Sequence, residues 1–229
     1  MQRTHVFVDY WNFQLRWNER AGEARCNWTH LPAVLLDKVR SLPIADDLDY
    51  QGMRVYASCD PDDENLRRWL ENFLERQPGT SVVALERRRR FDHIRCRSCG
   101  YETGNCPSCG QALVWSAEKG VESALITDLY ELAWSDALDV AVVVSSDSDF
   151  VFPVVGLQGR GVKVVNAAWR GAGQELARAS WATLDLDELI PALVREPGSS
   201  ERKPIMGERR GGAGKSEELS VKCEELKDG

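Results

Sequence analysis

The chain alternates short, unbroken apolar runs with longer stretches in which apolar residues recur every three or four positions. The first kind reads as strands buried on both faces of a sheet, the second as helices packed on it by one stripe. Val6-Phe7-Val8 marks a first strand over about residues 5–9. A helix from about Thr29, whose hydroxyl is placed to cap it, carries Leu31, Val34, Leu35, Val39 and Leu42 on one face. Residues 54–58 form a second strand. Asp60-Pro61-Asp62 opens a second helix with the stripe Leu66, Trp69, Leu70, Phe73 and Leu74, and Pro78-Gly79 stops it before a third strand over 81–86. Residues 87–117 break the rhythm. It resumes with a helix over 119–134, a strand over 140–145, a helix over 150–159 and a strand over 162–165, then short helices near 174–178 and 186–195.

Such alternation specifies an α/β fold with a central parallel sheet and helices on both faces. Five strands in the order 3-2-1-4-5 are expected, with the first and fourth as neighbours. The domain spans 1–195, with a small insertion over 91–115. Residues 196–229 are rich in Gly, Ser, Lys and Glu and too poor in apolar residues to offset ordering, so a disordered tail is expected.

Acidic residues stand where packing gives no reason for them. Asp9 closes the first apolar run, and Asp147 and Asp149 follow Val140-Ala141-Val142-Val143-Val144. The carboxyl edge of an open parallel sheet, at the point where strand order reverses, is where ligands bind. Glu122 is a third acidic position. In a helix of about 100° per residue it falls within the face of Val121, Leu125, Leu129 and Leu132, and burial is expected there. Asp128 lies on the flank of the same stripe and ranks lower. Carboxylates gathered in one pocket repel unless a hard cation neutralises them, and oxygen-only ligation suits Mg²⁺ or Mn²⁺. Singly, each aspartate reads equally well as a turn or cap residue.

Composition narrows the field. A net charge of −7 removes bulk electrostatic attraction to nucleic acid, so any such binding needs a local basic patch. No apolar stretch reaches membrane-spanning length, and the chain moves from Met1 almost directly into a core strand, so a cytoplasmic protein is expected. Seven cysteines are then poor disulfide arithmetic. Cys96, Cys99, Cys106 and Cys109 form two C-x₂-C pairs, each followed by glycine, with the spacing of a tetrahedral structural zinc ribbon. Arg87-Arg88-Arg89-Arg90, His93, Arg95 and Arg97 lead into it, with Phe91, Tyr101 and Trp115 nearby. Cations interleaved with aromatics suit RNA, although a charge run is as often a solvated edge. Trp11 and Trp115 are the candidates for base stacking, the other tryptophans for core. Gly212-Ala213-Gly214-Lys215-Ser216 echoes a phosphate loop, but Arg209 occupies its first glycine position and no strand precedes it.

Three segments resemble the signature blocks of NYN domains, in the PIN-like superfamily of metal-dependent ribonucleases. They are His5-Val6-Phe7-Val8-Asp9-Tyr10-Trp11-Asn12, Lys119-Gly120-Val121-Glu122 and Ser145-Ser146-Asp147-Ser148-Asp149-Phe150. The resemblance covers about residues 3–170 outside the insertion and implies a PIN-like three-layer fold. It implies catalytic metal binding by Asp9, Glu122, Asp147 and Asp149, with Asn12 near the scissile phosphate and Asp128 at a commonly acidic position. Lys119, Arg88 and Arg89 join Asn12 as expected RNA contacts. Glu122 replaces the more usual aspartate and Ser146 the usual glycine.

The expected activity is a ribonuclease in which water activated by Mg²⁺ or Mn²⁺ attacks a phosphodiester in line, with Zn²⁺ structural. An RNA-binding adaptor with a degenerate pocket is the alternative from the binding class. A Mg²⁺ phosphatase built on Asp147-Ser148-Asp149 ranks third, because its nucleophile belongs on the first strand. A homodimer is left open.

Overall fold

A computed structural model describes residues 1–43, 47–91, 94–95 and 97–195, with the side chains of 89–91 and 114–117 excepted. Along the chain, β1 (Gln2–Asp9) leads into α1 (Tyr10–Arg20) and α2 (Leu31–Arg40). Next come β2 (Leu48–Cys59), α3 (Glu64–Trp69) continued by a π-helical turn over Leu70–Leu74, and β3 (Thr80–Glu86). The insertion contributes β4 (Arg88–Phe91), β5 (Ile94–Arg95), β6 (Glu102–Thr103) and β7 (Val114–Ala117). After it follow α4 (Val121–Trp134), β8 (Val140–Val144), a 3₁₀ turn over Ser148–Phe150 and α5 (Val151–Gln158). The rest is β9 (Lys163–Ala168), α6 (Gln174–Ala179), β10 (Ala182–Asp185), a 3₁₀ turn over Leu186–Leu189 and α7 (Ile190–Leu193).

The main sheet has the order β10-β9-β8-β1-β2-β3, and every pairing in it is parallel. It differs from the five-strand expectation by a sixth strand, β10, added beyond β9. Only Leu184 of β10 is buried, so its four residues carry too little apolar signal to mark a strand. Side chains alternate across the sheet as a two-residue period requires. Val6, Val8, Val55, Ala57, Val142 and Val144 pack with α1, α2, α3 and α7 on one face. Phe7, Tyr56, Ala141 and Val143 pack with α4, α5 and α6 on the other. Burial on both faces is why the central strands are continuous apolar runs.

Two helix expectations need correction. Residues 10–20 carry no predicted element, yet α1 fills them. Only Tyr10, Phe13 and Trp17 of its eleven residues are buried, a stripe one residue wide at i, i+3 and i+7 that the polar majority hides. Thr29 does not cap α2. The helix starts at Leu31, and the Thr29 hydroxyl donates to Asn27 Oδ1, which also accepts from the His30 N–H. Asn27 therefore shapes the turn, and Pro32 in the first helical turn fixes the start.

The insertion is built from two antiparallel pairs, β4 with β7 and β5 with β6, apart from the main sheet. Both C-x₂-C segments end in a glycine with left-handed φ, +74° at Gly100 and +71° at Gly110. His93 and Cys96, and the expected tail over 196–229, lie outside the described residues. Among the described residues, no helix is long and apolar enough to cross a membrane.

Candidate active site

Strand order reverses between β1 and β8. Crossovers from β1 step outward through β2 and β3, while those from β8 step the other way through β9 and β10. β1 leads into a helix on one face of the sheet and β8 into a helix on the other, which is where an open parallel sheet forms its ligand crevice. Phe7 pairs with Val143 and Val8 with Val144, so Asp9 leaves the sheet level with Ser145.

Asp9 is only 6% exposed. Its Oδ1 accepts the Asn12 N–H at 3.3 Å, which caps α1, and its Oδ2 accepts the Ser145 hydroxyl at 3.2 Å. Both bonds are long, and among the described residues no Lys or Arg pairs with it. Burial therefore wins and pushes the carboxyl up to about 7. The negative charges of Glu118 and Glu122 push the same way, and the two hydrogen bonds only partly oppose them.

Ser145 continues the network, since its Oγ accepts the Asp147 N–H at 3.1 Å. Asn12 Oδ1 accepts the Ser146 N–H at 2.9 Å, which ties the start of α1 to the loop after β8. From β9, the buried Asn166 amide donates to the carbonyls of Val143 and Ser145, at 3.1 and 2.8 Å, and fixes the end of β8. Asp147 Oδ1 accepts the Asp149 N–H at 2.9 Å, so this aspartate does cap the 3₁₀ turn, as its structural reading allows. Asp147 is partly exposed and Asp149 exposed. Ser146, where the family block has glycine, keeps its hydroxyl buried without a protein partner.

Glu122 is partly exposed and not enclosed in the apolar face, contrary to expectation. It is the second residue of α4, and helical side chains lean toward the N-terminus, so a first-turn residue projects off the helix end toward the crevice. Lys119 and Arg88 are exposed on either side of the insertion's root. The Arg89 side chain lies outside the described residues.

Asp128 has another role. It accepts the Tyr56 hydroxyl at 2.6 Å and pairs with Arg54 at 2.8 Å. This partly buried triad joins α4 to β2. Asp128→Ala strands the Arg54 charge, so a loss of roughly 2 kcal/mol is expected in denaturant unfolding. Catalytic rate per folded molecule should be unchanged, and a loss of turnover without loss of stability would make Asp128 a member of the site.

The sequence singles out neither Glu118 nor Ser58, and it places Arg87 only in the basic run. Glu118 Oε2 accepts the Ser58 hydroxyl at 2.6 Å and Arg87 Nη2 at 3.1 Å, while Arg87 Nε donates to Ser58 Oγ at 2.8 Å. Arg87 lies over the Trp11 ring, 4.8 Å from its centroid, and the Trp11 indole N–H donates to the Ser58 carbonyl at 2.6 Å. Glu118 read as one more residue in a polar string; only the sheet brings it to Ser58.

Among the described residues, no three His, Cys, Asp or Glu side chains lie close enough to hold a metal between them. The donor chemistry still fits Mg²⁺ or Mn²⁺, which keep several waters and use one or two carboxylates together with substrate phosphate, not an all-protein cage.

A family model described as the NYN domain matches residues 3–187. The chain belongs to the NYN domain family. No curated protein matches it. A crystal structure of a protein of unknown function from Vibrio parahaemolyticus has the same fold, with a TM-score of 0.51 at 19% identity. The match covers 81% of this chain and 94% of that one. The NYN match extends past the strand after β8 to the 3₁₀ turn beyond β10, so the sixth strand belongs to the domain. NYN domains have a nuclease-type fold, and in this one the first and third signature blocks are joined by the Ser145–Asp9 and Ser146–Asn12 hydrogen bonds.

Proposed function

We propose that this NYN domain is a metal-dependent ribonuclease with its active site at the β1–β8 crevice. The buried Asp9 carboxylate, paired with no Lys or Arg among the described residues, carries the reading. A group held at about 7 by burial is unstable as an anion until a cation joins it. Asp9, Glu122, Asp147 and Asp149 would hold Mg²⁺ or Mn²⁺. Such an ion lowers the pKa of water and neutralises charge on a phosphoryl group in transfer. Asn12, fixed through Ser146, orients the strand beside the scissile phosphate. Lys119, Arg88 and Arg89 contact the flanking phosphates, because the acidic crevice itself repels them.

The cysteines of the insertion support a structural Zn²⁺ in this reading. Backbone N–H groups of Cys109 and Ser108 point at the Cys106 sulfur and hold its thiol below the ordinary value, the environment a thiolate ligand needs. Cys96, Cys99, Cys106 and Cys109 would be its ligands.

Incubating purified protein with single-stranded and structured RNA in Mg²⁺, Mn²⁺ or EDTA tests the reading. Cleavage is expected with either metal and none in EDTA, with about one equivalent of zinc retained by elemental analysis. Asp147→Asn should cut about a thousandfold more slowly, the scale of several kcal/mol of lost charge stabilisation. An equally fast variant would place any cleavage elsewhere. Glu122 in place of the more usual aspartate favours one rival, an RNA-binding adaptor, and metal-independent binding without cleavage would establish it.

A further inference from the structure

We propose that Arg87 and Glu118 are positioning residues that clamp the inserted segment in one pose beside the Asp9 crevice, making the insertion an arm that holds single-stranded RNA across it. The identity of the ligand rests on the ribonuclease reading; the clamp rests on geometry alone.

Arg87 and Glu118 flank the insertion directly. β4 begins at Arg88 and β7 ends at Ala117, and these two residues pair across the antiparallel ladder. The ladder closes the root of the insertion and brings Arg87 and Glu118 together beneath it. Two short strands outside the main sheet could still swing as a unit about that root. The clamp removes this freedom. The guanidinium of Arg87 meets Ser58 Oγ with Nε, Glu118 with Nη2 and the face of Trp11 with its plane. Its backbone N–H also donates to the Cys59 carbonyl at 2.8 Å. Ser58 is 1% exposed and anchored in β2, and its hydroxyl donates on to Glu118. Trp11, hydrogen-bonded to the Ser58 carbonyl, stands between Asp9 and Asn12 in sequence. A continuous set of charge-assisted bonds and ring contacts thus runs from the insertion's root to the start of α1.

The arrangement also reassigns Trp11. Arg87 covers one face of the indole and the Tyr10 ring meets it edge-on at 5.1 Å, so Trp11 works through the clamp and not as a free platform for a base. An arm is what the crevice lacks. Glu122, Asp147 and Asp149 make the crevice negative, and a polyanion needs cations just outside it. Arg88 and Arg97 stand exposed on the insertion. Their usefulness depends on the angle at which the insertion is held.

Arg87→Lys tests the clamp because it keeps the charge but loses the planar fork and the stack. Three quantities are read in full-length protein: amide hydrogen exchange, and affinities for a 20-nucleotide and a 5-nucleotide single-stranded RNA by fluorescence anisotropy in Ca²⁺. Amides of 88–91 and 114–117 should exchange faster in Arg87→Lys while β1 and β8 are unchanged. Affinity for the 20-mer should fall about tenfold, and for the 5-mer, which fills only the crevice, less than twofold. Glu118→Gln keeps an acceptor for both hydrogen bonds but loses the charge that assists them, so root exchange should rise in the same direction and by less. Unchanged exchange at the root would overturn the clamp. Faster exchange with unchanged 20-mer affinity, or equal losses for both lengths, would overturn the arm. A wild type that binds neither RNA, while root exchange still responds to Arg87→Lys, would sink the ribonuclease reading and the arm with it and leave the clamp standing.

Discussion

Asp9→Asn should abolish metal-dependent RNA cleavage and, without metal at pH 8, melt at a higher temperature than wild type. The two effects share one cause. The Asp9 carboxyl sits near pH 7 in the folded chain against an ordinary 3.8, chiefly because burial disfavours its anion. Below 3.8 the group is protonated in both states and contributes nothing. Between 3.8 and about 7 the native state keeps a proton that the unfolded state has lost, so stability falls as pH rises. Above about 7 the full penalty applies, at most roughly 4 kcal/mol at about 1.4 kcal/mol per unit. Asparagine escapes the penalty and keeps the Oδ1 that caps α1, but its new N–H₂ needs a partner. The net gain should be about 2 kcal/mol, or roughly 4–8 °C for a domain of this size. By pH 4 the penalty is almost gone and only the cost of the unpartnered N–H₂ remains, so Asp9→Asn should there be the less stable chain. Mn²⁺ should raise the melting temperature of wild type and leave Asp9→Asn unmoved, because a cation that binds only the native state stabilises only a chain able to hold it. Thermal scans at pH 4 and 8, with and without Mn²⁺, decide the matter. A variant less stable than wild type at pH 8 would show that the carboxylate is already compensated.

Gly173→Ala should be the most damaging small substitution outside the acidic set. Gly173 has φ +64°, in the left-handed region, and opens α6. A Cβ there would stand 2.8 Å from Ser146 Cα, 3.0 Å from its Cβ and 3.1 Å from its carbonyl oxygen. Backbone strain of about 1 kcal/mol adds to overpacking of about 1–3 kcal/mol, because the obstruction is main chain and cannot rotate away. Ser146 cannot yield freely either, since its N–H is held by Asn12. A loss of roughly 3 kcal/mol in urea unfolding is expected. The displaced loop carries Asp147, so cleavage per folded molecule should fall as well, about tenfold or more. Wild-type turnover at reduced stability would show that the loop absorbs the shift without moving its carboxylates.

The fold was legible where burial on both faces left no choice of residue. β1 and β8 stand out as apolar runs, and the acids just beyond them stand out against that background. Legibility failed where elements present one narrow apolar stripe or one edge, as in α1 and β10. At the site, Asp9 and the loop after β8 could be read because the sheet edge is implied by the strands. Burial of Glu122 is implied by helical phase alone. Phase gives the angle around the axis but not the distance from the helix end, and at the first turn the end decides exposure. The group formed by Ser58, Arg87 and Glu118 was invisible for a different reason. Its members come from three separated segments, and each has an ordinary reading as a turn, a charge run or a solvated edge.

The adjacency of β1 and β8 also orders events during synthesis. Asp9 and the Ser145 hydroxyl that bonds it are 136 residues apart in sequence. β1, β2 and β3 can pair as soon as they emerge, but one edge of β1 stays open until β8 has been made. The insertion lengthens that wait, yet it adds only a few tenths of a kcal/mol to closing a loop already so long. Contacts at such separation form late and slow folding. The crevice is therefore assembled in the same step that seals the central strand, and a nascent chain carries no working site until its own fold is closed.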